Sequence, residues 1–158
     1  MAKKVALIVA SEGYQETEYG VTKKVLQDAG IEVITVSNEA GTVIGHQGGT
    51  TNATLAFKDL HPAQYDGIFL IGGPKALEHL NTDHMYRLLS EVFAIGKAYG
   101  AICIAPRILA LAQVLRGKKA TCWDGDGKTA AIFIEGGVIF ESHDVVVDGL
   151  VVTANGPQ

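Results

Sequence analysis

The chain has 158 residues, 47% of them hydrophobic, a formal charge of −4 and two cysteines. That length and apolar content predict a single domain, residues 1–158, with a sizeable core. The acidic balance argues against nucleic acid as a partner, and no apolar run approaches the ~20 residues of a membrane span. Cys103 and Cys122, both in or beside predicted strands, offer no disulfide framework, and the apolar run after Lys3-Lys4 is too short for a signal peptide, so a cytoplasmic location is expected.

Residues 5–10 are a continuous β-rich apolar run, the pattern of a strand covered on both faces in a parallel sheet. After a polar loop at 11–14, a helix is predicted over 15–29, with Val21, Val25 and Ala29 spaced by four on one face and Gly30 as its stop. Residues 32–37 read as a second strand, completing a βαβ unit. The Gly- and Thr-rich stretch 38–60 reads as hairpin-like excursions outside the sheet core. Residues 67–71 form the next buried strand and end in Gly72-Gly73-Pro74. A helix over 83–99 follows, capped by Asn81 or Thr82, with Met85, Leu88, Leu89, Val92 and Ile95 on its inner stripe and Gly100 at its end.

The most informative stretch comes next. A short buried strand at Ala101-Ile102 stops at Cys103, and Pro106 opens a helix over Arg107 to Ala112, at the first helical position where its missing N–H costs nothing. Cys103 therefore sits at a sharp strand-to-helix bend with Ala101 and Ala105 two residues to either side, the spacing logic of a nucleophile elbow. A helix start beside the sulfur favours the thiolate. Residues 116–119 make a turn and 120–123 a short strand, and the tail reads as strands at 138–140, 144–147 and 150–154, the last two joined by Asp148-Gly149. The expected fold is α/β, a three-layer sandwich of flavodoxin-like type, with a mainly parallel sheet, helices on both faces and a small antiparallel addition.

Ligands of open α/β sheets bind beyond the carboxyl ends of the strands. Three such ends carry chemistry here: residues 12–18, Gly72-Gly73, and Cys103. They supply a nucleophile, a carboxyl group and backbone donors, and Gly72-Gly73 with the Ile104 N–H make an oxyanion hole plausible. Asp124-Gly125-Asp126-Gly127 lacks the ligand pattern of a calcium loop, reads as a solvated turn, and no metal or cofactor is expected.

Residues 5–10 with Glu18, Leu70-Ile71-Gly72-Gly73, Ala101 through Pro106 with Ile108-Leu109, and Leu115-Arg116-Gly117-Lys118 resemble the corresponding segments of the ThiJ/PfpI family, within the class I glutamine amidotransferase-like fold. The resemblance implies that Cys103 is the reactive residue, that Glu18 hydrogen-bonds it, and that Gly73 and Ile104 donate to an oxyanion. Glu16 is an adjacent alternative to Glu18. Burial is expected to keep Glu18 protonated, so that it donates to a Cys103 thiolate. The chain departs from the family pattern in carrying Ile104 where peptidase-like members have His, and Trp123 where other members have one. His46, His61, His79, His84 and His143 fall at no family catalytic position and read as surface residues. The implied function is a stress-response enzyme acting on small reactive carbonyl or acyl compounds, glyoxalase- or deglycase-like, with a small-molecule carbonyl substrate and a homodimeric assembly. The alternatives are a non-catalytic redox-responsive protein whose cysteine oxidises and, further off, an intracellular cysteine peptidase.

Overall fold

The computed structural model describes residues 2–157. The first apolar run forms β1 (Lys4–Val9). It is apolar throughout because both its faces are buried: Val5, Leu7 and Val9 enter one core, Ala6 and Ile8 the other. A short β2 (Glu12–Tyr14) leads into α1 (Glu16–Asp28), which returns the chain to β3 (Glu32–Ser37). The stretch expected to make excursions folds as a hairpin of β4 (Gly41–Gly45) and β5 (Thr50–Ala53), followed by β6 (Leu55–Ala56) and two 3-10 turns at Phe57–Asp59 and Pro62–Gln64. Then come β7 (Gly67–Leu70), α2 (Ala76–Leu80), α3 (Asp83–Ala94), β8 (Ala98–Ile102) and α4 (Pro106–Leu111). The last part holds β9 (Lys119–Ala120), α5 (Thr129–Glu135), β10 (Ile139–Phe140), β11 (Val145–Asp148) and β12 (Val151–Ala154).

The main sheet has seven strands in the order β11-β12-β8-β7-β1-β3-β6. All neighbours are parallel except β11 and β12, the antiparallel addition. β2, β4 and β5 form a separate three-stranded sheet, and β9 pairs with β10. On one side, α3 lays Met85, Leu88, Leu89 and Val92 into a core shared with Ile108 and Leu109 of α4 and Phe133 of α5. On the other side, α1 packs against β1 and β3. Among the described residues no helix is long and apolar enough to cross a membrane.

Three details differ from the sequence reading, and one choice it left open is decided. The helix expected to run to residue 99 ends at Ala94, where Gly96 takes φ +73°. Tyr99 and Gly100 belong to β8 instead, and Tyr99 Oη donates to the Val114 carbonyl at 2.6 Å. Of the two candidate caps, Thr82 is the one that accepts from a backbone donor, Met85 N–H. The strand expected over 120–123 stops pairing at Ala120; beyond it, Thr121 N–H goes to Thr153 Oγ1 and Trp123 N–H to the Cys103 carbonyl. The stripe of α1 carrying Val21 and Val25 faces solvent, 57% and 62% exposed. Tyr19 anchors the helix in its place, edge-on to Tyr14 and hydrogen-bonded to Thr35 at 2.6 Å, beside the partly buried Leu26.

Because α1 packs mainly on β1 and β3, the far edge of that sheet face is left partly open, with Val147 and Val152 exposed. Register aligns Val147, Val152, Gly100 and Phe69 in one row across β11, β12, β8 and β7. A groove of about 140 Å³, lined by Thr22, Phe69, Ile102, Val152 and Ala154 among others, runs between this surface and α1.

Candidate active site

The carboxyl ends of β1, β7 and β8 converge, and the elbow forms as its sequence dictates. β8 ends at Ile102, Cys103 takes φ +63°, and Pro106 is the first residue of α4. A left-handed backbone costs a residue with a Cβ about 1–2 kcal/mol and persists only where neighbours enforce it. Here they do. Cys103 N–H donates to the Ala154 carbonyl at 2.8 Å, and the Cys103 carbonyl accepts from Trp123 N–H at 2.8 Å and from the Cys122 thiol at 3.2 Å.

Glu18 comes to this elbow from the first turn of α1 and is only 2% exposed. Its Oε1 accepts from Gly72 N–H at 2.9 Å, while the Gly72 carbonyl accepts from Gln15 N–H at 3.0 Å. These two bonds lock the start of α1 to the end of the β7 segment. Gln15 closes the same turn by accepting from Glu18 N–H at 3.0 Å. Residue 72 has to be glycine: a Cβ there would stand 2.7 Å from Cys103 Cβ and 2.8 Å from Glu18 Oε1. Glu18 Oε2 is buried without a hydrogen-bond partner, and the carboxyl and the Cys103 side chain face each other across Gly72, where a single Cβ would meet both.

The two acids shift each other. Burial pushes the Cys103 thiol up to about 12, and the charge of Glu18 and its hydrogen bond add to that, against a smaller opposing effect of the Ile104 N–H. Burial also raises the Glu18 carboxyl, countered by Gly72 N–H and by the thiol. The expected thiolate beside a protonated Glu18 is therefore corrected. The remaining proton of the pair rests on sulfur, because Gly72 N–H holds the carboxylate while burial penalises the thiolate, and a bend into six-residue α4 does not offset this.

Glu16 is not interchangeable with Glu18. Its carboxylate accepts from Gln47 N–H at 2.9 and 3.0 Å and from Gly49 N–H at 2.9 Å, closing the tip of the β4–β5 hairpin. Glu12 pairs with Lys75.

Gly73 and Ile104 line the same cavity as Cys103. Gly73 takes φ +138°, and a Cβ on it would lie 2.3 Å from the Gly13 carbonyl oxygen, so only glycine allows this approach to β2. Neither Gly73 N–H nor Ile104 N–H meets a protein acceptor among the described backbone and side-chain oxygens. A cavity of about 320 Å³ opens above them, lined by Gln15, His46, Gly73, Pro74, Cys103, Ile104 and Trp123. Glu18 is not among its lining residues.

Trp123 stands where it does because the following loop is clamped from below. Buried Arg107 binds Asp126 at 2.6 and 3.0 Å, Thr129 Oγ1 at 2.8 and 3.0 Å and the Trp123 carbonyl at 3.4 Å, with its guanidinium 5.7 Å from the Trp123 ring centre. Asp124 accepts from Thr129 N–H at the start of α5. The segment 124–127 is thus the exposed turn the sequence suggested, tethered from below by Arg107 and Thr129. Arg107 holds the Asp126 carboxyl well below the usual carboxylate range, and its own partners keep it away from Glu18. The sequence reading missed the place of His46 in the cavity wall, since that place depends on how the hairpin tip folds back. Among the described residues, no group of three or more His, Cys, Asp or Glu side chains converges as a metal site would require.

A parallel α/β sandwich with a cysteine at a nucleophile elbow, an acid beneath it and free backbone donors beside it defines a class of elbow-cysteine proteins. Comparison with known sequences makes the assignment specific: the profile of the DJ-1/PfpI family matches residues 3–158, and the chain belongs to that family. It is 32% identical over 152 residues to a deglycase of Pyrococcus abyssi, covering 96% of this chain and 89% of that one. Protein/nucleic acid deglycase 2 of Escherichia coli is 30% identical over 152 residues, 94% of this chain and 85% of the relative. The crystal structure of a ThiJ/PfpI domain protein from Brachyspira murdochii superposes with a TM-score of 0.89 at 29% identity, covering 99% of this chain and 88% of that one.

Proposed function

We propose that the protein is a cysteine-dependent enzyme acting on small reactive carbonyl compounds, glyoxalase- or deglycase-like. The observation that carries this reading is a convergence: the buried Glu18 carboxyl and the Cys103 side chain meet at Gly72, and beside Cys103 the cavity is lined by Gly73 and Ile104, whose N–H groups have no oxygen acceptor. A resting thiol suits addition to a carbonyl, because the proton leaves only as the C–S bond forms. The sulfur attacks the carbonyl carbon, its proton passes to the Glu18 carboxylate, and the oxygen that gains charge is received by the two backbone donors. Burial makes Glu18 a stronger base than a solvated carboxylate, which favours that transfer.

The cavity volume fits a small molecule rather than a folded polypeptide segment. A peptidase reading is further weakened by Ile104 beside the nucleophile, where a basic side chain would be needed. The names of the archaeal and bacterial deglycases support carbonyl adducts as the substrate class. The test is incubation of the purified protein and a Cys103→Ser variant with a 2-oxoaldehyde, following loss of the aldehyde and appearance of the 2-hydroxy acid. Turnover in the parent that disappears in the variant is expected; no turnover in the parent refutes the enzymatic reading. The orphaned Glu18 Oε2 favours one second reading: a protonated carboxyl there would donate to an oxygen added to the sulfur, as a peroxide-responsive protein requires.

A further inference from the structure

Carbonyl chemistry at this site needs a group that carries protons to and from the substrate itself, and Glu18 is not placed to do so. It is buried beneath the cavity floor, absent from the cavity wall, and reaches the reacting atoms only through sulfur. Among the described residues, the only titratable side chain lining the cavity besides Cys103 is His46.

His46 is exposed, yet its backbone is fixed. His46 N–H donates to the Tyr14 carbonyl at 2.8 Å, one residue before Gln15, another wall residue. The turn that follows is closed by Gly45 N–H to the Gly49 carbonyl at 2.6 Å and by the Glu16 carboxylate on Gln47 and Gly49 N–H. Gly45 admits this clamp, since a Cβ there would lie 2.4 Å from the Glu16 carboxyl carbon. Two glutamates two positions apart thus serve different sides of the site: Glu18 the elbow, through Gly72, and Glu16 the hairpin tip that carries His46. Of the charged groups, the Glu16 carboxylate of α1 is the one that feels the His46 ring, and Cys103 of the elbow lines the same cavity.

We propose that His46 is the catalytic acid–base group of this site, delivered by the β4–β5 hairpin rather than by the elbow, with Glu16 as its positioning residue. The proposal rests on the carbonyl-enzyme reading. For a 2-oxoaldehyde the protons balance as follows. Once sulfur has bonded to the aldehyde carbon, the imidazolium protonates the new oxyanion. The neutral ring then removes the C–H proton from that carbon and returns it to the adjacent carbonyl carbon, whose oxygen takes the hydroxyl proton of the first; the result is a thioester, with no net oxidation. His46 next takes a proton from water as the hydroxyl adds to the thioester carbon. The C–S bond breaks, and sulfur recovers its own proton from Glu18. One aldehyde and one water become one 2-hydroxy acid, and the imidazole is a group suited to such transfers near neutral pH.

Two measurements test this, and they fail separately from the reading beneath them. In the first, turnover of the 2-oxoaldehyde and alkylation of Cys103 by iodoacetamide are followed across pH for the parent, His46→Gln and Glu16→Ala. His46→Gln should lose about a hundredfold in kcat, flatten the pH profile and keep the parent's alkylation rate; Glu16→Ala should lower kcat more than it raises KM. In the second, Cys103 is capped either with iodoacetate, which leaves a carboxylate in the cavity, or with iodoacetamide, which leaves a neutral amide, and the His46 ring is titrated by NMR. The carboxylate should raise its midpoint by about one unit relative to the amide. An inactive parent would sink the enzymatic reading while the titration still decides whether His46 faces the sulfur. Unchanged turnover in His46→Gln, or equal midpoints in the two capped proteins, overturns the proposal.

Discussion

Replacing Glu18 with Gln should drive two properties of Cys103 in opposite directions. With the thiol pushed up to about 12, almost all of Cys103 is protonated at pH 7.5. The glutamine amide would leave the burial in place, keep an acceptor for Gly72 N–H, and remove the negative charge that opposes the thiolate. A like charge at hydrogen-bonding range is worth about one to three units. Each unit multiplies the thiolate about tenfold and lowers its intrinsic nucleophilicity about threefold, so alkylation speeds up about threefold per unit. Iodoacetamide at limiting concentration, read by intact mass between pH 6 and 10, should therefore modify Glu18→Gln about three to thirty times faster than the parent at pH 7.5. Turnover of a 2-oxoaldehyde should fall by about a hundredfold or more in the same variant, because the thiol proton has lost its acceptor. Glu18→Leu should alkylate at an intermediate rate and unfold more easily, since it strands the buried Gly72 N–H at a cost of about 1–3 kcal/mol. Equal alkylation of parent and Glu18→Gln would mean that the carboxyl carries no charge at neutral pH, and the assignment of the proton to sulfur would be refuted.

Cys103 should be labelled well before Cys122, which is 3% exposed and donates its thiol hydrogen to the Cys103 carbonyl; peptide mapping that found Cys122 labelled first would contradict the elbow geometry. Folding stability should carry two opposite pH signatures. Glu18 is raised in the fold, so its contribution is greatest below the unfolded carboxylate range and fades as pH rises through its folded value; Asp126 is lowered, so its contribution is complete above that range and is lost on acidification. Thermal melts should then show Asp126→Asn less stable than the parent at pH 7 and converging with it in strong acid, while Glu18→Gln gains on the parent as pH rises; a constant gap in either case would break the assignment. We also propose that the open edge of that sheet face is covered by a second copy of the chain, since Val145 and Val147 are 56% and 64% exposed in a continuous apolar row. Light scattering should report a dimer at micromolar concentration, weakened about tenfold or more by Val147→Lys, and a monomeric parent would refute it.

What the sequence disclosed depended on how local the cause was. Residues 5–10 announced a strand buried on both sides, because the run is short, rich in Val and Ile, and leaves no polar face for solvent. The elbow was legible because Pro106 and the flanking alanines fix a bend within seven residues. The end of α3 was misplaced because Gly96 and Gly100 are equally good stop signals in isolation, and only pairing of Tyr99 and Gly100 with β7 and β12 decides between them. The Val21 and Val25 stripe signalled a buried helix face, but Tyr14, Tyr19 and Thr35 rotate α1 so that this stripe looks outward. α5 went unread because its Ile-Phe-Ile centre suits a strand as well as a helix, and Phe133 is settled by packing on Phe140 at 5.3 Å. At the site, Glu16 and Glu18 differ by two positions in the chain and by an entire role. Nothing in the spacing tells that one reaches Gln47 and the other Gly72.

The elbow's hydrogen bond to Ala154 has a consequence for biosynthesis. Cys103 N–H is satisfied by a residue of β12, and β8 has β12 as one of its two sheet neighbours. A ribosome delivers β8 long before β12, so during translation the nascent chain holds an unpaired strand ending in an unformed turn. Trp123 and Cys122 can hold the Cys103 carbonyl earlier, but the Cys103 N–H finds its acceptor only when residues 151–154 arrive and dock. Completion of the elbow is thereby tied to completion of the sheet, and a chain stalled before residue 151 leaves the Cys103 N–H without its acceptor.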